Sequence, residues 1–189
     1  MSTSRTDLTE TDDIIDILIR QHSEIRDLFL TALRSTGAER AEAFGRLVRL
    51  LAVHETAEQE IVHPLARRTL PGGEGIVEDR LHEEHQADIM LAELDGMDPD
   101  DPRFEPMLER LRADVMTHAR AEERYEFTRL SAEFTDAQRK GLAAALRAAQ
   151  AMAPTHPHPG VERPAANLMA GPFLALADRV RDMIRDAMK

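Results

Sequence analysis

The sequence contains no cysteine and no tryptophan, one tyrosine, and only 4% aromatic residues across its 189 positions. The lack of cysteine excludes disulfides, thiolate metal sites and thiol nucleophiles, so any metal must be held by nitrogen and oxygen ligands. Such ligands suit iron, manganese or zinc. No stretch approaches the roughly 20 apolar residues that span a bilayer, and the opening MSTSRTDLTETDD lacks the apolar centre of a signal peptide. The expectation is a cytosolic (cytoplasmic) protein with no membrane partner. Positive charge is also scarce, with 24 Lys and Arg against 35 Asp and Glu and a formal net charge of -11. Phosphate backbones require a concentrated basic surface, so nucleic acid is not an expected partner.

What is present is helix-forming. Ala, Leu, Arg and Glu dominate, and charged residues reach 31%, which predicts an all-α fold. Residues 1–152 read as an up-down-up-down four-helix bundle with a short fifth helix, and 153–189 as a Pro-rich linker and a C-terminal amphipathic helix. The first helix should start near Thr11 or Asp12, carry Ile15, Leu18, Ile25 and Phe29 inward, and stop at Gly37. The second spans about 38–68 with Phe44, Leu47, Leu51, Ile61 and Leu65 on its seam, and Pro64 is placed to kink its last turns. Pro71, Gly72 and Gly73 form a turn before a third helix over about 74–95, with Val77, Leu81, Ile89 and Ala92 on one side. An Asp/Pro loop follows, and then a fourth helix with Leu108, Leu111, Val115 and Tyr125 inward. Thr135 and Gln138 form a capping box for a fifth helix over about 136–152. Beyond the linker, Phe173, Leu176, Val180, Met183 and Ala187 make a stripe that must be buried against the bundle or a second subunit, the latter giving a homodimer.

Six polar residues interrupt those apolar seams: His22, His54, Glu58, His85, His118 and Glu122. In a bundle with short connections, residues equidistant from a shared turn lie at one height. The midpoint of His22 and His54 is position 38, that of Glu58 and His85 falls at 71 to 72, and that of His85 and His118 at 101 to 102. All three midpoints lie at turns, so the six share a layer. The spacing also repeats: His22 precedes one HxxxE by 32 residues and His85 precedes the other by 33.

Within an HxxxE the two side chains share a face about 6 Å apart along the axis. Each His can therefore bind one ion while its Glu reaches toward both, at the roughly 3.5 to 4 Å separation of two-metal sites. Buried polar groups without partners cost roughly 1 to 3 kcal/mol each, so six structural residues in one layer would exceed the stability of a typical domain. Four imidazoles and two bridging carboxylates supply about eight bonds, and two octahedral ions need about twelve. Glu55 and His82 are the nearest residues to fill a further position. A ferritin-like Glu-x-x-His pair occurs once, at Glu60 and His63, without a counterpart, and HExxH is absent. His63, beside Pro64, and the linker residues His156 and His158 read as solvated or capping.

The set of His22, His54 to Glu58, His85, and His118 to Glu122 resembles the hemerythrin-like, HHE cation-binding family over about residues 12–131. The resemblance implies a four-helix bundle holding two non-haem iron ions with oxo or hydroxo and carboxylate bridges. His22, His54, His85 and His118 would be terminal ligands, and Glu58 and Glu122 bridges. The implied partner is a small molecule: dioxygen, hydrogen peroxide or nitric oxide. The oxygen carriers of that family place two histidines on the third helix at i, i+4, whereas His82 and His85 stand at i, i+3, and Glu55 resembles the extra carboxylate of sensor-type relatives. That departure favours redox chemistry over simple carriage. Tyr125 either closes one end of the site as a core aromatic or offers its phenol to a bound oxygen species or to iron. The expected function is peroxide removal or redox protection, a catalase-like or peroxidase-like activity. Reversible binding of O2 or NO, and an iron-responsive interaction module, are the alternatives.

Overall fold

The computed structural model describes residues 12–151, 153 and 182–188. The chain is all-α, and the described residues contain no strand. Helix α1 is Ile14–Arg34. Its N-cap is Asp13, whose carboxylate accepts the amides of Ile15 and Asp16 while Asp16 answers the Asp13 amide. The helix ends three residues short of Gly37, and Gly37 instead opens the next helix with a φ of +55°.

Helix α2 runs through three segments, Gly37–Ala57, Glu58–Val62 and His63–Thr69. The middle segment is a π turn, in which the His63 amide reaches the Glu58 carbonyl five residues back. Pro64 follows this turn at the start of the last segment, where its missing N–H is cheapest, so the backbone accommodates it by widening rather than breaking. Helix α3 is Gly73–Asp95. Helix α4 repeats the design of α2, with Phe104–Ala121, a π turn at Glu122–Phe127, and Thr128–Glu133. Helix α5 is Asp136–Gln150, opened by the capping box of Thr135 and Gln138.

Each π turn begins at the glutamate of an HxxxE. A π turn admits one more residue per turn than α geometry, so residues beyond it come round to a face that a 3.6 repeat would send outward. His63 in α2 and Phe127 in α4, each five residues past the glutamate, are buried for this reason.

Two apolar cores result. One lies at the end holding the α1–α2 and α3–α4 connections and includes Phe29, Phe44, Leu47, Leu91, Phe104 and Leu108. The other is built around Leu18, Ile61, Leu65, Phe127, Leu142 and Leu146. Arg40 closes the first end: it donates to the carbonyls of Ala32, Ser35 and Pro99, pairs with Glu105 at 2.9 Å, and lies over the Phe104 ring. Helix α5 packs on α1 and α2 and covers the second core. Of the tail, Ile184 is buried in that core with Met183 and Ala187 against it, and a Cβ on Gly141 would stand 2.8 Å from that of Ala187. The described part of the C-terminal stripe thus docks on the bundle. Phe173, Leu176, Val180, His156 and His158 lie outside the described residues. No described helix is long and apolar enough to cross a membrane.

Candidate metal centre

Between the two cores lies a polar layer. From α1 comes His22, one turn past Leu18 and one before Ile25. From α2 come His54 and Glu58, and from α4 His118 and Glu122, each pair straddling the start of a π turn. His22, His54, Glu58 and Glu122 are all buried, and each offers an atom within 4.8 Å of the others'.

The rings are oriented alike. His22 Nδ1 donates to Glu123 at 2.8 Å, His54 Nδ1 to the Gln21 amide oxygen at 3.0 Å, and His118 Nδ1 to Glu83 at 2.9 Å. Each ring therefore carries its proton on the outer nitrogen and turns Nε2 inward. Metal-bound histidines are fixed in this way, by an oxygen acceptor on the far nitrogen. The Gln21 oxygen also accepts from Gln150 of α5 at 3.0 Å, so the fifth helix helps to hold the His54 ring. Phe127 stacks on His22 with ring centroids 5.6 Å apart.

The inner atoms are crowded and unsatisfied. The Nε2 atoms of His22 and His54 face each other at 3.1 Å. Neighbouring ligands on one octahedral ion, with bonds of about 2.1 Å, stand about 3.0 Å apart. Glu122 Oε2 lies 3.4 Å from His22 Nε2 and 3.3 Å from His118 Nε2, and Glu58 Oε1 lies 3.3 Å from His54 Nε2. Both oxygens of Glu58, both of Glu122 and the Nε2 of His118 are buried without a hydrogen-bond partner. Five such orphans in one layer are the mark of a site made for cations. The donor set is imidazole nitrogen and carboxylate oxygen, which fits divalent iron, manganese or zinc.

Without an ion, charge is divided unevenly. Burial and the adjacent His22 hold His54 well below the usual histidine range, so its ring is neutral. Burial also depresses His118, but the Glu122 charge and the hydrogen bond to Glu83 outweigh it and raise the ring well above that range. Glu122 is correspondingly held low: burial pushes it up, and His118 and His22 overcome that push. Glu58 is raised by burial and then by the Glu122 charge. Metal binding at such groups is coupled to proton release.

On α3 the buried face differs from the expected one. The buried face is Val77, Glu84, Ala87, Leu91 and Leu94, one residue out of phase with the expected Val77, Leu81, His85 and Ile89. Ile89 is 43% exposed. In the run His82, Glu83, Glu84, His85 the two glutamates are used: Glu83 holds His118, and Glu84 is 3% exposed beside Glu58 and His118. His85 is half-buried and His82 exposed, and neither belongs to the buried clusters of ligand atoms. The preferred face buries Leu91 and Leu94 completely, and its one charge is met by partners on α2.

His63, read from sequence as solvated or capping, is 2% exposed and pairs with Glu84 at 2.6 Å. Burial opposes protonation of its ring, but Glu84 prevails and raises its pKa. Tyr125, expected inward, is 51% exposed, with Arg124 over its ring. The corresponding Ile61 in α2, at the same register of its π turn, is buried on the flank that α5 covers. Glu55 is buried but stands apart from both ligand clusters, hydrogen-bonded to Asp88. Burial first, then the Asp88 and Glu84 charges, push its carboxyl well above the usual range.

A cleft of about 860 Å³ leads from solvent to the layer. His22, His54, Glu55, Glu84 and His118 line its inner wall, and Met90, Met107, Val115 and Met116 its flanks.

One curated relative, a DNA nickase of Nostoc sp., is 26% identical over 139 residues, covering 73% of this chain and 39% of its own length. The chain thus spans about two fifths of that relative. No solved structure matches. The family model described as the hemerythrin HHE cation binding domain matches residues 13–130. Hence the chain belongs to the hemerythrin HHE cation-binding family.

Proposed function

We propose that the layer holds two iron ions and that the protein reacts with hydrogen peroxide or dioxygen, serving peroxide removal or redox protection. The observation that carries this reading is the set of three inward Nε2 atoms around two carboxylates whose four oxygens have no hydrogen-bond partner. His22 and His54 would serve one ion and His118 the other, with Glu58 and Glu122 placed to reach both. Bound iron would supply a redox couple that takes two electrons from one peroxide, releasing dioxygen and two protons, and gives them to another, which with those protons becomes water.

The protein's own residues supply position, access and protons. Glu123, Gln21 and Glu83 fix the three rings. The cleft, lined by Glu55 among others, admits a small ligand from solvent to the layer. Glu55, hydrogen-bonded to Asp88, lines that cleft as a carboxyl placed to exchange a proton with a bound ligand.

The test is metal analysis and optical spectroscopy of protein purified from its own host, followed by peroxide addition. Two irons per chain, a bridge charge-transfer band and catalytic loss of peroxide at substoichiometric protein are expected. Zinc or no metal would overturn the iron reading. A dioxygen spectrum that reverses under vacuum, without peroxide turnover, would replace catalysis with reversible binding.

A further inference from the structure

We infer that Glu84, rather than His85, is the ligand that α3 contributes, and that His63 and Gln59 are its positioning residues. The inference rests on the two-metal reading above and deepens it. Glu58, Glu84 and His118 each present an atom within 4.8 Å of the others', a second cluster that shares Glu58 with the first. Glu58 is fully buried, and neither its oxygens nor His118 Nε2 has a hydrogen-bond partner. Two buried carboxylates beside one imidazole form a pocket suited to a cation.

The setting of Glu84 is that of a held ligand. Its Oε1 accepts from His63 Nε2 at 2.6 Å and its Oε2 from Gln59 Nε2 at 2.7 Å. Each carboxylate oxygen has a second lone-pair direction, so both remain able to bind an ion. Carboxylate ligands are oriented by such outer hydrogen bonds. His63 is set the opposite way to the three ligand rings. Its Nε2 points at a carboxylate, while its Nδ1 is buried without a partner. It therefore orients Glu84, and it belongs to neither cluster of ligand atoms.

The consequence is an asymmetric pair of sites. The α1–α2 side offers two imidazoles with Glu58 and Glu122, and the α3–α4 side offers one imidazole with Glu58, Glu84 and Glu122. The second position is richer in oxygen, and a harder ion or a higher charge suits it better.

The full-length apoprotein should be titrated anaerobically with Co(II), following the ligand-field spectrum and the metal retained after gel filtration. Wild type should take up two equivalents. Glu84→Gln preserves shape and hydrogen bonding, and should keep the first equivalent and lose the second. The retained first equivalent reports that the variant is folded. His85→Ala should keep both, and His63→Ala should weaken only the second, by about 10- to 100-fold. Loss of an equivalent in His85→Ala, whether or not Glu84→Gln also loses one, would overturn the assignment while leaving the two-metal reading intact. Retention of both by Glu84→Gln would do the same. Failure of wild type to bind Co(II) would overturn both readings together.

Discussion

The two halves of the bundle carry the same device and use it differently. In α1–α2 and in α3–α4 an HxxxE meets a π turn that starts at its glutamate. The first half adds His22 from α1, a helix whose apolar stripe is unambiguous. The second adds Glu84 from α3, whose apolar residues lie on more than one face. Beyond the π turns the halves differ again, with Val62 in α2 matched by Glu126 in α4, and Ile61 by Tyr125. Repetition in a sequence thus establishes a common scaffold, and the packing around each copy decides which donor it presents.

Four experiments test how far the two halves differ. The largest effect is expected at Glu58, which both clusters share. Glu58→Met should abolish binding of both metals and, because it removes two buried orphan oxygens, stabilise the apoprotein by about 1 to 3 kcal/mol. Thermal denaturation in chelator and metal analysis check the two arms.

The second concerns Glu126, whose carboxyl is raised from 4.5 to about 7 by burial and then by the Glu122 charge. Between those values the native state keeps a proton that the unfolded chain has released, so apoprotein stability falls as pH rises through that window. The loss reaches about 3 kcal/mol at one kcal-scale step of 1.36 per pKa unit. Glu126→Val makes the second half like the first, and its denaturation midpoint should show that much less pH dependence relative to wild type.

Third, removing the outer acceptors should affect the halves separately. Gln21→Ala should weaken the ion held by His54, and Glu83→Ala the ion held by His118, each by about 10- to 100-fold in a metal titration. Identical responses from the two variants would mean that the halves are not separable. The smallest effect is expected at Tyr125. Tyr125→Phe should leave metal content, spectrum and peroxide reaction unchanged, since its ring is half exposed.

Much of this was legible in the sequence, and each failure has a physical cause. The seams of α1, α2 and the first part of α4 are clear three-and-four repeats, and Leu18, Ile25, Phe29, Leu47, Leu51, Leu108 and Leu111 are buried as expected. The turn midpoints place the polar layer at the right height. Yet a midpoint moves by only half a residue when one partner shifts by one, so it could not separate His85 from Glu84. Only the phase of α3 could, and that phase was settled by Leu91 and Leu94 together with the partners of Glu84 on α2. His63 was misplaced because a uniform 3.6 repeat does not hold through a π turn, and Tyr125 because the helix that covers its counterpart Ile61 packs on the other half. One local signal was available: Pro64, six residues after Glu58, marks a place where an α-helix cannot continue unaltered.

The polar layer between the two apolar cores also bears on cooperativity. Each core is closed by its own elements, Arg40 and the connections at one end, α5 and the tail at the other. In the apoprotein they are joined chiefly through helix continuity across a stratum of mismatched charge, so the ends can open as separate units. Ions bound there would tie four helices at their waist and turn two melting steps into one.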